Sequence, residues 1–373
     1  MAGKALTEKG QGMTKEQSAR LQGVAVLLLL YHHFFNDLSI YGERLSFWRP
    51  EWVLHFAWFG KICVGMFAFV TGYGMCKALE KRNGAAITRC LRQMLQLLIR
   101  YWVVFLLFMG CMFSMGRRQF ELTEFLENFF CLKSTYNGAF WYVQQYVIML
   151  LLLAVAEAFL RFAEVICKKG KITEALGKGW LEVTERVVSL LCVLFGMGWG
   201  MLAILLPSMR QTLNDFLDII RIAFVLVCFV GYFCAKLRVF DRLLSRLYAL
   251  STIIRILLAV FLLALVGVVR IMLAGSPAYA SLDFLFVPIF TIGILLLLQN
   301  AKWISARLES LGHLSIYVWL THLFTFDLTN AILLRYLHNH ILFFLVEAIL
   351  CIFIAYTCCW VERGIRNFSL KKK

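Results

Sequence analysis

The stretch VLLLLYHHFFND, residues 26–37, ends an unbroken aliphatic run in two adjacent histidines, His32 and His33. Imidazole dissolves poorly in hydrocarbon, so a membrane helix has no cheap reason to carry it. With an unperturbed pKa near neutrality, it can take or give a proton at physiological pH. A third histidine, His322, stands in another apolar run far along the chain. Counting about 1.5 Å per residue from an entry near Leu21, His33 lies about 18 Å deep. His322, entering near Leu311, reaches almost the same depth, which makes the two a candidate catalytic pair. A proton relay or substrate pathway of a transporter uses the same residues, and so does a haem with His33 and His322 as axial ligands. Either histidine alone also fits a packed side chain donating one hydrogen bond to a neighbouring helix carbonyl.

Other polar groups sit at comparable depth. Lys61, in WFGKICVGMFAFVTGYGM, needs a carboxylate, a carbonyl or water beside it unless it snorkels outward. In NGAFWYVQQYV, Trp141 and Tyr142 suit an interfacial aromatic belt, whereas Gln144 and Gln145 just below are harder to dismiss. Arg89 and Arg92 are three apart at the entry of an apolar run, a workable clamp for phosphate oxygens or simply a positive anchor. Arg100, Arg221 and Arg255 also lie near or within apolar runs, with Asp218 placed for a local pair with Arg221; no chemistry follows from them alone.

The elements that must position these groups are membrane helices. The 373 residues are 61% hydrophobic and only 16% charged, beyond what a water-soluble chain of this length requires. Scanning for runs of about 20 apolar residues predicts ten spans. They are Leu21 to Leu38, Trp52 to Leu79, Gln96 to Met115, Gly138 to Leu160, Val187 to Pro207, Phe216 to Ala235, Leu250 to Leu273, Leu282 to Leu298, Leu311 to Leu333 and Ile341 to Val361. Placing both termini in the cytoplasm puts 26 Lys and Arg in the inner segments and seven in the outer ones, as short basic loops require. The expectation is therefore an all-α polytopic membrane protein, N-in and C-in. Residues 1–20 form a cytoplasmic segment, 21–361 the ten-helix domain and 362–373 a basic tail.

The net charge of +16 is spread over these loops as topology determinants, which argues against a nucleic-acid partner and leaves anionic lipids and phosphate ligands open. The twelve cysteines fall mostly inside spans or at their cytoplasmic ends, with only Cys131 on the outer side, and no CxxC pair has zinc spacing, so neither a disulfide framework nor a metal site is expected. No cleavable signal peptide is expected either. The outer segment FELTEFLENFFCL reads as an amphipathic piece at the interface, placed to cover the mouth of a cavity.

Taken together, the motifs resemble the membrane-bound acyltransferase-3 family. ARLQGVAVLLLLYHHFF, residues 19–35, resembles its first helix, where a basic residue precedes a histidine by ten intervening positions. FAFVTGYG, residues 67–74, matches a second-helix pattern with Thr71 in place of serine. Trp141 to Gln145 is similar to the fourth-helix pattern, and Ser315, Trp319, Leu320 and His322 to a late SxxxWLxH pattern. The resemblance spans nearly the whole chain. It singles out His33 rather than His32, and it exposes one departure, Gln22 where a basic residue is expected. Arg20 does not substitute on an intact helix, since an offset of 13 leaves it roughly 140° from His33 at about 100° per residue.

The resemblance implies a membrane O-acyltransferase that moves an acyl group, acetyl above all, from cytoplasmic acyl-CoA to a hydroxyl of a cell-surface or exported polysaccharide, in a bacterial-type plasma membrane. No bound cofactor is implied; acetyl-CoA or another acyl-CoA is the donor substrate. His33 is the implied general base. His322, Gln145, Tyr142 and Lys61 are candidates to orient it or to donate to the developing oxyanion, with Gln22, Gln144, Ser315 and Trp319 supporting. Arg89 and Arg92 are candidates for the donor's phosphates. Acyl-CoA, a glycan or lipid-linked glycan and membrane lipids are the implied partners, and a homodimer is compatible.

Overall fold

A computed structural model describes residues 12–80, 86–169, 219–274 and 281–371, together with Val183 and Val187. Among these residues the regular elements are helical, and extended pairing is confined to one isolated bridge between Ser46 and Asn339. Helix α1 (Lys15–Phe35) begins at a capping box: Gln17 N–H donates to the Thr14 hydroxyl at 3.2 Å, and Thr14 N–H donates to the Gln17 side chain at 2.9 Å. It is followed by α2 (Pro50–Gly60), α3 (Ile62–Glu80), α4 (Ala86–Ser114), α5 (Leu122–Phe129), α6 (Trp141–Lys169), α7 (Ile219–Lys236), α8 (Val239–Tyr248), α9 (Thr252–Met272), α10 (Asp283–Leu298), α11 (Lys302–His313), α12 (Ser315–Leu333) and α13 (His340–Lys371).

Five helical stretches among the described residues are long and apolar enough to cross a membrane: Pro50–Glu80, which joins α2 and α3, Ile87–Ser114, Gly138–Phe162, Thr252–Met272 and His340–Gly364. A sixth results if α7 and α8, bent by 71° at their junction, are one span. The ten expected spans are thus only partly matched. The one from Val187 to Pro207 lies, apart from Val187, outside the described residues, as do Asp218 and the basic loop 170–182. The expected eighth span is the 16-residue α10. The expected ninth starts too early: residues 302–313 form the separate polar helix α11, and α12 starts at Ser315. Helices α1 and α12 are absent from the five because charged and polar side chains interrupt them, Arg20, Gln22, His32 and His33 in α1 and His322, Asp327 and Asn330 in α12. The α13 backbone continues to Lys371.

Helix α1 is the hub, packed against α2, α3, α10, α11, α12 and α13. Its crossing with α11 is built on small residues. A Cβ at Gly312 would stand 1.8 Å from the Ala19 carbonyl oxygen, and one at Gly23 would stand 2.1 Å from that of Leu308. Apolar side chains gain little from meeting one another in lipid, so close backbone approach through glycine is how membrane helices find dispersion contact. Gly72 of the FAFVTGYG stretch and Gly231 do the same between α3 and α7, where a Cβ would lie 1.8 Å from Cys228 O and 2.2 Å from Phe69 O.

At the end opposite Lys15, α5 lies against α4. Tyr101 donates to Asn128 O at 2.6 Å, Trp102 to Phe129 O at 2.9 Å, and Trp102 and Phe129 stack at 5.4 Å. Leu122 and Leu126 face outward, the amphipathic division expected from the sequence. Glu121 caps α5 by accepting from the Glu124 and Thr123 backbone N–H groups, which holds its carboxyl below the usual range.

Candidate active site

His33 and His322 meet. Their ring centroids are 4.7 Å apart with planes inclined by 55°, and His32 lies 4.9 Å from His33 on its other side. His322 is fully buried, and its Nδ1 lies 2.7 Å from Trp319 O and 3.1 Å from Val318 O. A carbonyl only accepts, so Nδ1 carries the proton and Nε2 presents a lone pair. That Nε2 is buried with no hydrogen-bond partner. His32 is likewise held, its Nδ1 donating to Ala57 O at 2.7 Å. His33 is half-buried and opens into a cavity of about 320 Å³ shared with His32, Lys61, Phe67, Tyr142 and Trp319. Two axial haem ligands must stand on opposite faces of a macrocycle, and imidazoles in direct ring contact leave no room for one.

This upper cavity continues downward. Phe67, Tyr142 and Trp319 also line a middle cavity of about 240 Å³, whose walls hold Gln22, Gln93, Gln96, Arg100, Tyr146 and Ser315. Gln22, Thr71, Gln93 and Tyr146 in turn line a lower cavity of about 920 Å³ with Lys15, Lys77, Arg89 and Arg238. The order of lining residues gives each helix its direction. Helices α1 (Gln22 to His33), α4 (Arg89 to Arg100) and α12 (Ser315 to Trp319) climb the passage, while α3 (Val64 to Lys77) and α6 (Tyr142 to Tyr146) descend it.

The remaining sequence candidates divide. Tyr142 and Trp319 pack edge-on at 5.3 Å; Tyr142 donates to Val64 O at 3.5 Å and Trp319 Nε1 to Ala139 O at 3.3 Å, which fixes both at the junction of upper and middle cavities. Lys61 lies between α2 and α3 on the wall of the upper cavity. Gln144 and Gln145 do not reach the histidines: Gln144 accepts from Arg221 at 3.0 Å, and Gln145 donates to Arg221 O at 2.9 Å, joining α6 to α7. Arg89 enters the lower cavity, but Arg92, turned about 60° away by a three-residue offset, is exposed and outside its lining. Gln22 lines the middle and lower cavities. Arg20 points elsewhere, donating through Nε and a terminal nitrogen to Glu309 at 3.1 and 3.0 Å.

Ion clusters that spacing does not reveal brace the helices: Glu157 of α6 meets Arg161 at 3.0 Å and Lys236 of α7 at 3.7 Å, and two more lie beside the passage. Behind α3, Arg270 of α9 donates to Asp283 of α10 at 2.7 Å, both fully buried. At the lower end Asp241 accepts from Tyr73 and from Lys77 at 3.0 Å, while Tyr73 accepts from Met13 N–H at 2.9 Å and so ties the start of α1 to the passage. A lone Arg in VGVVRIML and a lone Asp in SLDFLF were the available signals, since isolated charges inside apolar runs are costly unless paired.

An all-helical protein with paired imidazoles at the upper end of a polar passage has the parts of a membrane-embedded group-transfer enzyme. Comparison with known families places it: the model for an acyltransferase domain matches residues 20–361, and the chain belongs to the acyltransferase-3 family. It is a membrane acyltransferase. No curated protein and no solved structure matches it.

Proposed function

We propose that the protein transfers an acyl group, acetyl in the first instance, from cytoplasmic acyl-CoA to a hydroxyl of a cell-surface or exported polysaccharide, with His33 as general base. Ten spans with both termini in the cytoplasm, in a bacterial-type plasma membrane, belong to this reading, and the excess of Lys and Arg in the inner segments supports them. The observation that carries the reading is the His33–His322 contact at the head of a passage whose opposite end is lined by cations.

The donor enters from the lower cavity, its phosphates near Lys15, Arg89 and Arg238 and its thioester reaching up past Tyr142 and Trp319. In the reacting complex a turn of the His33 ring brings its N–H to the unpartnered Nε2 lone pair of His322, whose own Nδ1 proton is committed to carbonyls, and directs the other His33 nitrogen toward the cavity. That nitrogen takes the acceptor hydroxyl's proton as the oxygen attacks the thioester carbonyl. The C–S bond then breaks, and the proton passes to the departing thiolate. General-base help of this kind is worth about 10² to 10⁴ in rate. Lys61, on the wall of the same cavity, is assigned to the developing oxyanion. The acceptor approaches from the other side, so no separate carrier for the acyl group is needed.

The test is purified protein with radiolabelled acetyl-CoA and a panel of glycans, beside His33→Ala. Label moving to a hydroxyl only with the intact histidine is expected. No transfer or donor hydrolysis with any donor, or full activity in the variant, overturns the reading; proteoliposome flux without transfer points to transport instead.

A further inference from the structure

The middle cavity differs from its neighbours. Its polar lining is three primary amides, Gln22 from α1 and Gln93 and Gln96 from α4, with hydroxyls from Thr71, Tyr142, Tyr146 and Ser315, and one charged residue among those described, Arg100. Thr71 spends its proton on Phe67 O at 2.7 Å, leaving its oxygen to accept. Arg100 Nε is buried without a hydrogen-bond partner. A guanidinium in a membrane helix is costly unless its donors find oxygens, and the lining holds no carboxylate. Arg20, two residues from Gln22, is already spent on Glu309.

A cavity so equipped suits a slender ligand carrying amides and hydroxyls: carbonyl oxygens for Arg100 and the glutamine NH₂ groups, N–H groups for glutamine and threonine oxygens. It offers one cation among the described lining residues, which does not suit a diphosphate. Resting on the donor assignment above, we propose that this cavity is the binding site for the amide-bearing arm that links the donor's nucleotide to its thioester, and that Arg100 anchors it by donating to an arm carbonyl. Phe67, Tyr142 and Trp319, shared with the cavity above, then mark where the arm ends and the acyl group begins. Selectivity for the carrier is set at Arg100 and is separate from the chemistry at His33.

The test compares acetyl-CoA with a truncated acetyl thioester that retains only the amide nearest sulfur, using the full-length protein and Arg100→Met. Losing a charge-assisted bond to a neutral acceptor raises KM for acetyl-CoA by roughly 10- to 100-fold with kcat little changed. The truncated donor, lacking the distal carbonyl, is used equally by both proteins. Gln22→Lys placed in the Arg100→Met background returns a cation to the same cavity from α1 and recovers part of the KM. Equal loss with both donors, or a fall in kcat at unchanged KM, overturns the assignment and makes Arg100 a structural residue. If acetyl-CoA transfer survives in a His33-dependent form while Arg100→Met leaves KM unchanged, only this inference fails. If no acyl donor is used at all, the proposed function fails with it.

Discussion

Helix α9 and helix α1 are both 21 residues long, yet their relation to the membrane is opposite. Eleven per cent of the most apolar stretch of α9 is buried against protein, so its Ile, Leu, Val and Phe side chains face outward as lipid solvent demands. Helix α1 carries Gln22, His32 and His33, falls outside the helices recognisable as spans by composition, and is enclosed by six neighbours. Helix α12 repeats the pattern, with Ser315, Thr321, His322 and Thr325 all buried. The helix that looks most like a membrane span does least, because lipid tolerates only hydrocarbon. Polar chemistry is confined to helices that other helices shield.

The sharpest way to break this contrast is at the imidazole pair. His33→Ala is expected to lower acyl transfer about 10²- to 10⁴-fold while leaving detergent unfolding unchanged; retained transfer would place the base elsewhere. Next is the buried pair behind α3. Asp283→Ala leaves the Arg270 charge enclosed, and removing one partner of a buried ion pair costs about 3–5 kcal/mol, to be read from thermal or denaturant unfolding in detergent. An unaltered midpoint would mean that water reaches the pair.

Gly312→Val tests the shield itself. With the Ala19 carbonyl 1.8 Å from the new Cβ, α1 and α11 must separate, an overpacking cost of roughly 1–3 kcal/mol, with transfer reduced as His33 shifts. Arg20→Ala is expected to cost only about 0.2–1 kcal/mol, since its bridge to Glu309 is about a quarter exposed at each end, and to leave KM for the donor unaltered. Smallest of all, Leu257→Val on the outward face of α9 is expected to stay within about 0.5 kcal/mol of the parent protein.

Much of the site was legible along the chain because helical geometry converts spacing into depth. The positions of His33 counted from Leu21 and of His322 counted from Leu311 placed both histidines at one level, and the rings do touch. The angular argument that removes Arg20 from the face of His33 also agrees with its bond to Glu309. What spacing does not carry is which neighbour a side chain meets across a helix interface. Gln144 and Gln145 stand out in the sequence as polar groups at membrane depth, but spacing does not show that both meet Arg221, which lines the cavity of the histidines. Arg92 reads as half of a clamp, but 60° of helix puts it outside the cavity that receives Arg89.

The sequence by itself determined that this chain is helical and largely buried in lipid, and which apolar runs carry imidazole at matching depth, because hydrocarbon forces backbone hydrogen bonds into helices and makes every buried polar residue conspicuous. The break between α11 and α12, the pairing of Arg270 with Asp283, the unpartnered Nε2 of His322 and the stacking of three cavities beneath it were decided by tertiary structure alone. Each depends on contacts between residues far apart in the chain, fixed by how closely glycine lets two helices approach, and neither composition nor periodicity encodes that distance.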